Sequence, residues 1–214
     1  KQEIFMTQTR WWWVRHAPVT ETNGRVYGST DPNCDTDNPP AYLALHAILP
    51  EDAHWVTSHL KRTKQTAAAI AAAGGRSIDP AEEPGLGEQD FGDWHGQTHD
   101  EIYALPSARR FWLAPATMTA PNGESFADLC VRVTRVIHRL TAEWAGRDII
   151  AVAHGGTIRA ALALALDLDP ETGLRFQTDN ISVTRIDHFD GDDGHAESWR
   201  VTYMNRQPHM PPKE

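Results

Sequence analysis

Apolar and polar residues follow two rhythms along this chain, and their alternation predicts its elements. Residues 11–14, three tryptophans and a valine, form a compact run predicted to be a buried strand that ends at Arg15-His16. Residues 17–40 are polar and rich in Thr, Asn, Gly, Pro and Asp, which predicts a long loop of the kind that often serves function. Short helices are predicted over 41–49 and 62–73, the second closed by Gly74-Gly75, with a strand over 54–57 between them. Residues 77–94 read as irregular, and 98–112 as one or two short helices broken at Pro106. The clearest helix follows a capping box, Ser125 to Asp128. Its apolar stripe is Phe126, Leu129, Val133, Ile137, Leu140 and Trp144, and Gly146 ends it. A strand over 149–153 leads through His154 and Gly155-Gly156 into a helix reaching Leu166. Residues 181–188 and 198–204 alternate like paired strands joined by a turn at 191–194. Strands interleaved with helices predict an α/β fold with a mostly parallel sheet covered on both faces.

Composition narrows the class. With 214 residues, 40% hydrophobic and 23% charged, the chain is expected to form a single domain over 10–205. Residues 1–9 read as an N-terminal extension, with Met6 a candidate start, and 206–214 as a tail. Acidic residues exceed basic ones by 29 to 20, a formal charge of −9, so neither nucleic acid nor an anionic membrane is an expected partner. The two cysteines, Cys34 and Cys130, lie in no CxxC motif, and no apolar run is long enough to span a bilayer, so a cytoplasmic setting is expected. A homodimer is left open.

Candidate chemistry gathers at strand ends. Arg15-His16 follows the first strand, residues 58–62 follow the second, and His154-Gly155 follows the late one. Open α/β sheets bind ligands at the carboxyl ends of their strands, so two arginines and two histidines are expected to meet in one crevice. Guanidinium forks match phosphoryl oxygens, and a helix opened by glycines offers backbone N–H donors to an anion. A neutral imidazole is a competent nucleophile toward phosphorus, and neighbouring arginines disfavour its protonated form. Glu88 is the candidate general acid. A glutamate with an ordinary pKa of ~4.3 is protonated in well under ~1% of molecules at pH 7, so burial or a nearby phosphate dianion is expected to raise it.

The chain carries Arg15-His16; Ser58-His59-Leu60-Lys61-Arg62-Thr63 with Gln65-Thr66-Ala67; Glu88 with Gly92-Asp93-Trp94-His95-Gly96; Gly123-Glu124-Ser125; and His154-Gly155-Gly156. In that order these motifs resemble the histidine phosphatase superfamily, the phosphoglycerate mutase-like group, over about residues 11–165. The resemblance implies a three-layer α/β/α sandwich and His16 as the phosphorylated nucleophile. It implies a phosphate pocket of Arg15, Arg62, His154 and Gly155, Glu88 as proton donor, and neither metal nor cofactor. Ala17-Pro18 stands where the family usually has Gly-Glu. The asparagine that often lines the pocket corresponds to Asn23 or is replaced by Thr22. Tyr27-Gly28-Ser29-Thr30-Asp31 resembles a segment of α-ribazole phosphatases, and the short stretch 95–122 favours hydrolysis over mutase chemistry.

The expected function is therefore hydrolysis of a small phosphorylated metabolite, α-ribazole phosphate among the candidates, through a phosphohistidine. A phosphoglycerate-type mutase and a non-catalytic phosphoryl-binding protein are the rivals. Ser58 is either a phosphate contact or a turn hydroxyl satisfying its own backbone. Glu124 and Ser125 read as structural, Arg109-Arg110 with Trp112 as either a solvated helix face or a contact to the substrate's remote end, and the three tryptophans as packed strand. His95 and His99, four apart, lack a third zinc-ligand signature.

Overall fold

The computed structural model describes residues 7–20, 22–106, 108, 115–191 and 196–208. Residues 1–6, Arg109, Arg110, Trp112 and turn residues 192–194 lie outside these. Strands β1 (Gln8–Arg15), β2 (Ala53–Thr57), β3 (Ala81–Glu82), β4 (Asp148–Ala153), β5 (Val183–Phe189) and β6 (Ser198–Arg206) make one sheet in the order β3-β2-β4-β1-β5-β6. Pairs β1–β4, β2–β4 and β2–β3 are parallel, while β5 runs against both β1 and β6.

Side chains on a strand alternate between faces, and here each face has its own core. Trp11 and Trp13, with Ile149, Ala151 and Ala153, join the apolar stripe of α4 (Phe126–Glu143) and residues of α5 (Gly155–Ala165). Val14, Ile150 and Val152 point the other way, into Tyr42 and Leu45 of α1 (Pro39–Ile48) and Ala67 and Ile70 of α2 (Lys61–Ala73). Two apolar faces on one sheet require two helical layers, which gives the three-layer α/β/α sandwich. Trp11 and Trp13 stack at 4.9 Å, the packed strand expected from the sequence.

The capping box forms: Ser125 Oγ accepts the Asp128 N–H at 3.1 Å, and Asp128 Oδ2 accepts the Ser125 N–H at 3.0 Å. Trp144, one residue beyond α4, stacks on His54 at 4.6 Å. β3, the 3-10 turns Pro84–Leu86 and Gly92–Trp94, and helix Pro170–Gly173 were not expected, being too short to show a period. Within 98–112 the described helix is His99–Tyr103. No helix among the described residues is long and apolar enough to cross a membrane.

Register places the chemistry. Arg15 lies opposite Ala153 and Thr57 opposite Val152, so β1, β4 and β2 end side by side. The next residue in each strand is His16, His154 or Ser58.

Candidate active site

His16 is 1% exposed, and its ring lies 5.2 Å from that of His154. A carbonyl only accepts, so the 2.7 Å contact from His16 Nδ1 to the Ala17 oxygen puts the proton on Nδ1 and leaves Nε2 as the lone-pair nitrogen. Burial, then the charges of Arg62 and Arg15, push the His16 pKa down to about 3, against the opposing pull of the Ala17 bond. At neutral pH the ring is uncharged, the form in which an imidazole can act as a nucleophile. The Ala17-Pro18 departure leaves this geometry intact, because the Ala17 backbone supplies it: its carbonyl takes the imidazole proton and its N–H donates to Thr66 Oγ1 at 2.9 Å.

Arg62, in the first turn of α2, is fully buried. Its Nη1 and Nη2 donate to the carbonyls of Thr30 (2.7 Å) and Gly28 (2.6 Å), and its Nε donates to His154 Nδ1 at 3.3 Å. Two of its five N–H groups remain for a ligand. Tyr27 packs against the same guanidinium, 5.2 Å from ring centroid to carbon. With Nδ1 accepting from Arg62, His154 carries its proton on Nε2, which donates to Ser58 Oγ at 2.8 Å. Burial, then His16 and Arg62, hold His154 well below the ordinary imidazole value. Arg15 donates through Nη1 to the Thr178 carbonyl, and its buried Nε has no partner among the described residues.

A cavity of about 400 Å³ opens where the strands end, and Arg15, Glu88, Gly156 and Arg159 all line it. Apolar side chains, Tyr27, Phe91 and Leu174 among them, make up much of the remaining wall. His16, His154 and Arg62 are not among the residues that line it.

These features meet in one family. The sequence matches the description "Histidine phosphatase superfamily (branch 1)" over residues 11–202. The chain belongs to the histidine phosphatase superfamily. Among relatives, the glucosyl-3-phosphoglycerate phosphatase of Mycolicibacterium vanbaalenii is 34% identical over 165 residues, 70% of this chain and 72% of that one. The adenosylcobalamin/alpha-ribazole phosphatase of Salmonella typhimurium is 27% identical over 188 residues, 85% of this chain and 92% of that one. A solved structure of mycobacterial glucosyl-3-phosphoglycerate phosphatase Rv2419c superposes with a TM-score of 0.79 at 27% identity, covering 93% of this chain and 99% of that one. The chain also matches longer mycobacterial proteins, of whose length it spans about a third.

The structure gives several of the candidate site residues partners within the protein. The N–H groups of Gly155-Gly156 were expected to face phosphate. Instead the Gly156 N–H points at the Glu88 carboxylate, 3.2 and 3.3 Å from its two oxygens. A carboxylate at the start of α5 satisfies the same electrostatic preference as a phosphate. Gly155 lies against Arg15, where a Cβ would come 3.6 Å from the guanidinium carbon. Ser58 Oγ faces His154 and the Leu60 N–H, 3.2 Å away, so it orients the second histidine. Both ring nitrogens of His154 are engaged within the protein, so a direct phosphate contact requires it to exchange one. Thr22 and Asn23 miss the cavity. The Arg25 N–H bonds to the Thr22 carbonyl, and left-handed Asn23 (φ 48°) and Gly24 (φ 74°) turn the chain away. Thr22 borders a neighbouring cleft of about 500 Å³ that shares Arg25, Val26 and Tyr27 with the main cavity.

His95 Nε2 accepts the Phe91 N–H, while His99 lines the main cavity, so the two do not share a site. Among the described residues no group of three His, Cys, Asp or Glu is placed to hold a metal. Sequence reading missed Arg159, whose Nε donates to the Phe176 carbonyl at 2.8 Å. It also missed the Thr178 carbonyl that anchors Arg15. An arginine in a helix whose partners are distant carbonyls leaves no periodic trace.

Two outcomes follow from this geometry. A Cβ on Gly156 would lie 2.3 Å from Glu88 Oε1, so Gly156→Ala must move that carboxylate. It is expected to cut kcat/KM toward alkyl phosphates about 10²-fold, as displacement of a catalytic group by about 1 Å does. Unchanged kinetics would show that Glu88 does not act from this position. The second concerns pH. The folded pKa of His16, about 3, lies below the unfolded value of 6.5, so below pH 6.5 the unfolded chain takes up a proton that the folded protein refuses. Its contribution to stability is complete above pH 6.5 and declines as pH falls toward 3. Between pH 6.5 and 5 the loss is about 2 kcal/mol. Urea melts should show the wild type losing that much more over this range than His16→Asn, and equal losses would contradict a buried neutral ring.

Proposed function

We propose that this protein is a phosphomonoester hydrolase that works through a phosphohistidine on a small phosphorylated metabolite. One observation carries the reading. His16 is held neutral by burial and the charges of Arg62 and Arg15, and is fixed in one tautomer by Ala17, against His154 and beside a cavity that presents Arg15 and Glu88. Binding alone needs no such nucleophile.

In the proposed first step, His16 Nε2 donates its lone pair to phosphorus and the bond to the leaving oxygen breaks. Arg15 and the two free N–H groups of Arg62 take the equatorial oxygens, joined by His154 once it releases Ser58 or Arg62. Glu88, as general acid, passes a proton to the leaving oxygen. Water then attacks the phosphohistidine and gives a proton back to Glu88, releasing phosphate and restoring neutral His16. No step calls on a metal, so the rate in EDTA is expected to match the rate without it. The relatives' substrates, glucosyl-3-phosphoglycerate and α-ribazole phosphate by name, head the panel to be assayed; the partly apolar wall suits a leaving group with a non-polar face.

A shared phosphoenzyme is tested by partition. With an alcohol such as glycerol added, esters of different leaving groups should give one common ratio of transferred to hydrolysed phosphate. A ratio that changes with the leaving group would mean direct attack by water.

A further inference from the structure

The loop that presents Glu88 is held by an arginine outside the cavity. Arg132 projects from α4, and all five of its N–H groups are engaged. Nη1 donates to the carbonyls of Gly85 and Gly87, both at 2.8 Å, and Nη2 to the carbonyl of Glu88 itself at 3.1 Å. The other edge of the fork grips the Glu124 carboxylate, Nη2 to Oε1 at 2.6 Å and Nε to Oε2 at 3.0 Å. Glu124 extends the grip past Glu88. Its Oε1 accepts the Asp90 N–H at 3.1 Å, and its carbonyl accepts the Gln89 side chain at 3.1 Å. From the opposite side Thr157 Oγ1 reaches the carbonyls of Leu86 and Gly87.

Gly87, Glu88, Gln89 and Asp90 belong to no helix or strand, so no regular element satisfies or fixes their backbone. The planar fork of Arg132 supplies donors on one side of Glu88 and Glu124 supplies acceptors on the other. We propose that the Arg132–Glu124 pair is the positioning device for the proton donor, fixing the backbone so that the Glu88 carboxyl stands at the Gly156 N–H and over the leaving oxygen. This rests on the reading of Glu88 as general acid. Arg132 itself does not border the cavity and is a positioning residue. A lysine there keeps the charge but not the five-point fork.

The test compares kcat/KM, which reports the step that breaks the ester bond, for 4-nitrophenyl phosphate and glycerol 3-phosphate. The first leaving group departs without a proton and the second needs one. Arg132→Met is expected to lose about 10²-fold on the alkyl ester and less than about 5-fold on the aryl ester. Arg132→Lys and Glu124→Gln should show the same skew in smaller measure. In a Glu88→Gln background Arg132→Met should add little, because the group it positions is gone. Equal losses on both esters, or full additivity with Glu88→Gln, would overturn the proposal and leave Arg132 a structural residue. Should Arg132→Met fail to fold by thermal melt, Arg132→Lys and Glu124→Gln decide on the same criteria. The acid assignment is read separately: if Glu88→Gln alone shows no skew, that assignment fails whatever Arg132 does.

Discussion

His16→Ala is expected to reduce kcat toward any phosphomonoester substrate by at least about 10⁵-fold, the scale on which removal of a covalent nucleophile acts. The size of the effect follows from the surroundings of the ring. Its Nε2 is the lone-pair nitrogen, with Nδ1 committed to the Ala17 carbonyl. In His154, 5.2 Å away, both ring nitrogens are engaged, by Ser58 and Arg62, so it has no free lone pair comparable to that of His16 Nε2. Folding should survive the change. The imidazole leaves a small void and one carbonyl without its donor, a cost of about 1–3 kcal/mol. Circular dichroism and a urea melt check that, and phosphate release checks the rate. Turnover within about 10-fold of wild type in a folded His16→Ala protein would remove His16 from the chemistry.

Arg62→Lys carries the second largest expected effect, on stability and activity together. The guanidinium is fully buried and closes three internal bonds, to Gly28, Thr30 and His154. An ammonium has only three donors, radiating from one point, so it cannot reach two carbonyls, a ring nitrogen and a phosphoryl group at once. At least one buried acceptor is left unsatisfied, at about 1–3 kcal/mol each. The 28–30 segment loses its tether, and with it the seat of Tyr27 on the cavity wall. The substitution should lower stability by about 2–4 kcal/mol and kcat/KM by about 10²–10³-fold, with KM and kcat both affected. Urea melts and kinetics on one aryl phosphate test it. Wild-type stability and rate in the Arg62→Lys protein would mean that the fork geometry is unimportant.

Much of the fold was legible because burial on both faces of a strand is written locally. Three tryptophans and a valine in sequence, or Ile149 to Ala153 without a polar residue, leave no face for solvent. The stripe from Phe126 to Leu140 likewise fixes which side of α4 meets the sheet. The meeting of His16, Arg62 and His154 was legible because each follows a strand end, with Arg15 the last residue of β1. The missed features are long-range polar contacts. Glu88 to Gly156 spans 68 positions, Arg132 to Glu88 spans 44, and Arg15 to Thr178 spans 163. None imposes a period on the sequence. Thr22 and Asn23 do not line the main cavity, and a related reason applies: the turn made there by one left-handed asparagine and a glycine is not revealed by a motif shifted by one residue.

Two imidazoles and two guanidinium groups gathered at one cavity make covalent capture of phosphate by residue 16 the proposed event on which the rest depends. Mixing the wild-type protein with a ³²P-labelled phosphoester, quenching in alkali and mapping the labelled peptide measures that event directly. Acid-labile, alkali-stable label on His16, absent from His16→Ala, is the expected result. Turnover accompanied by label on another residue, or by none under conditions that trap the intermediate, would contradict it.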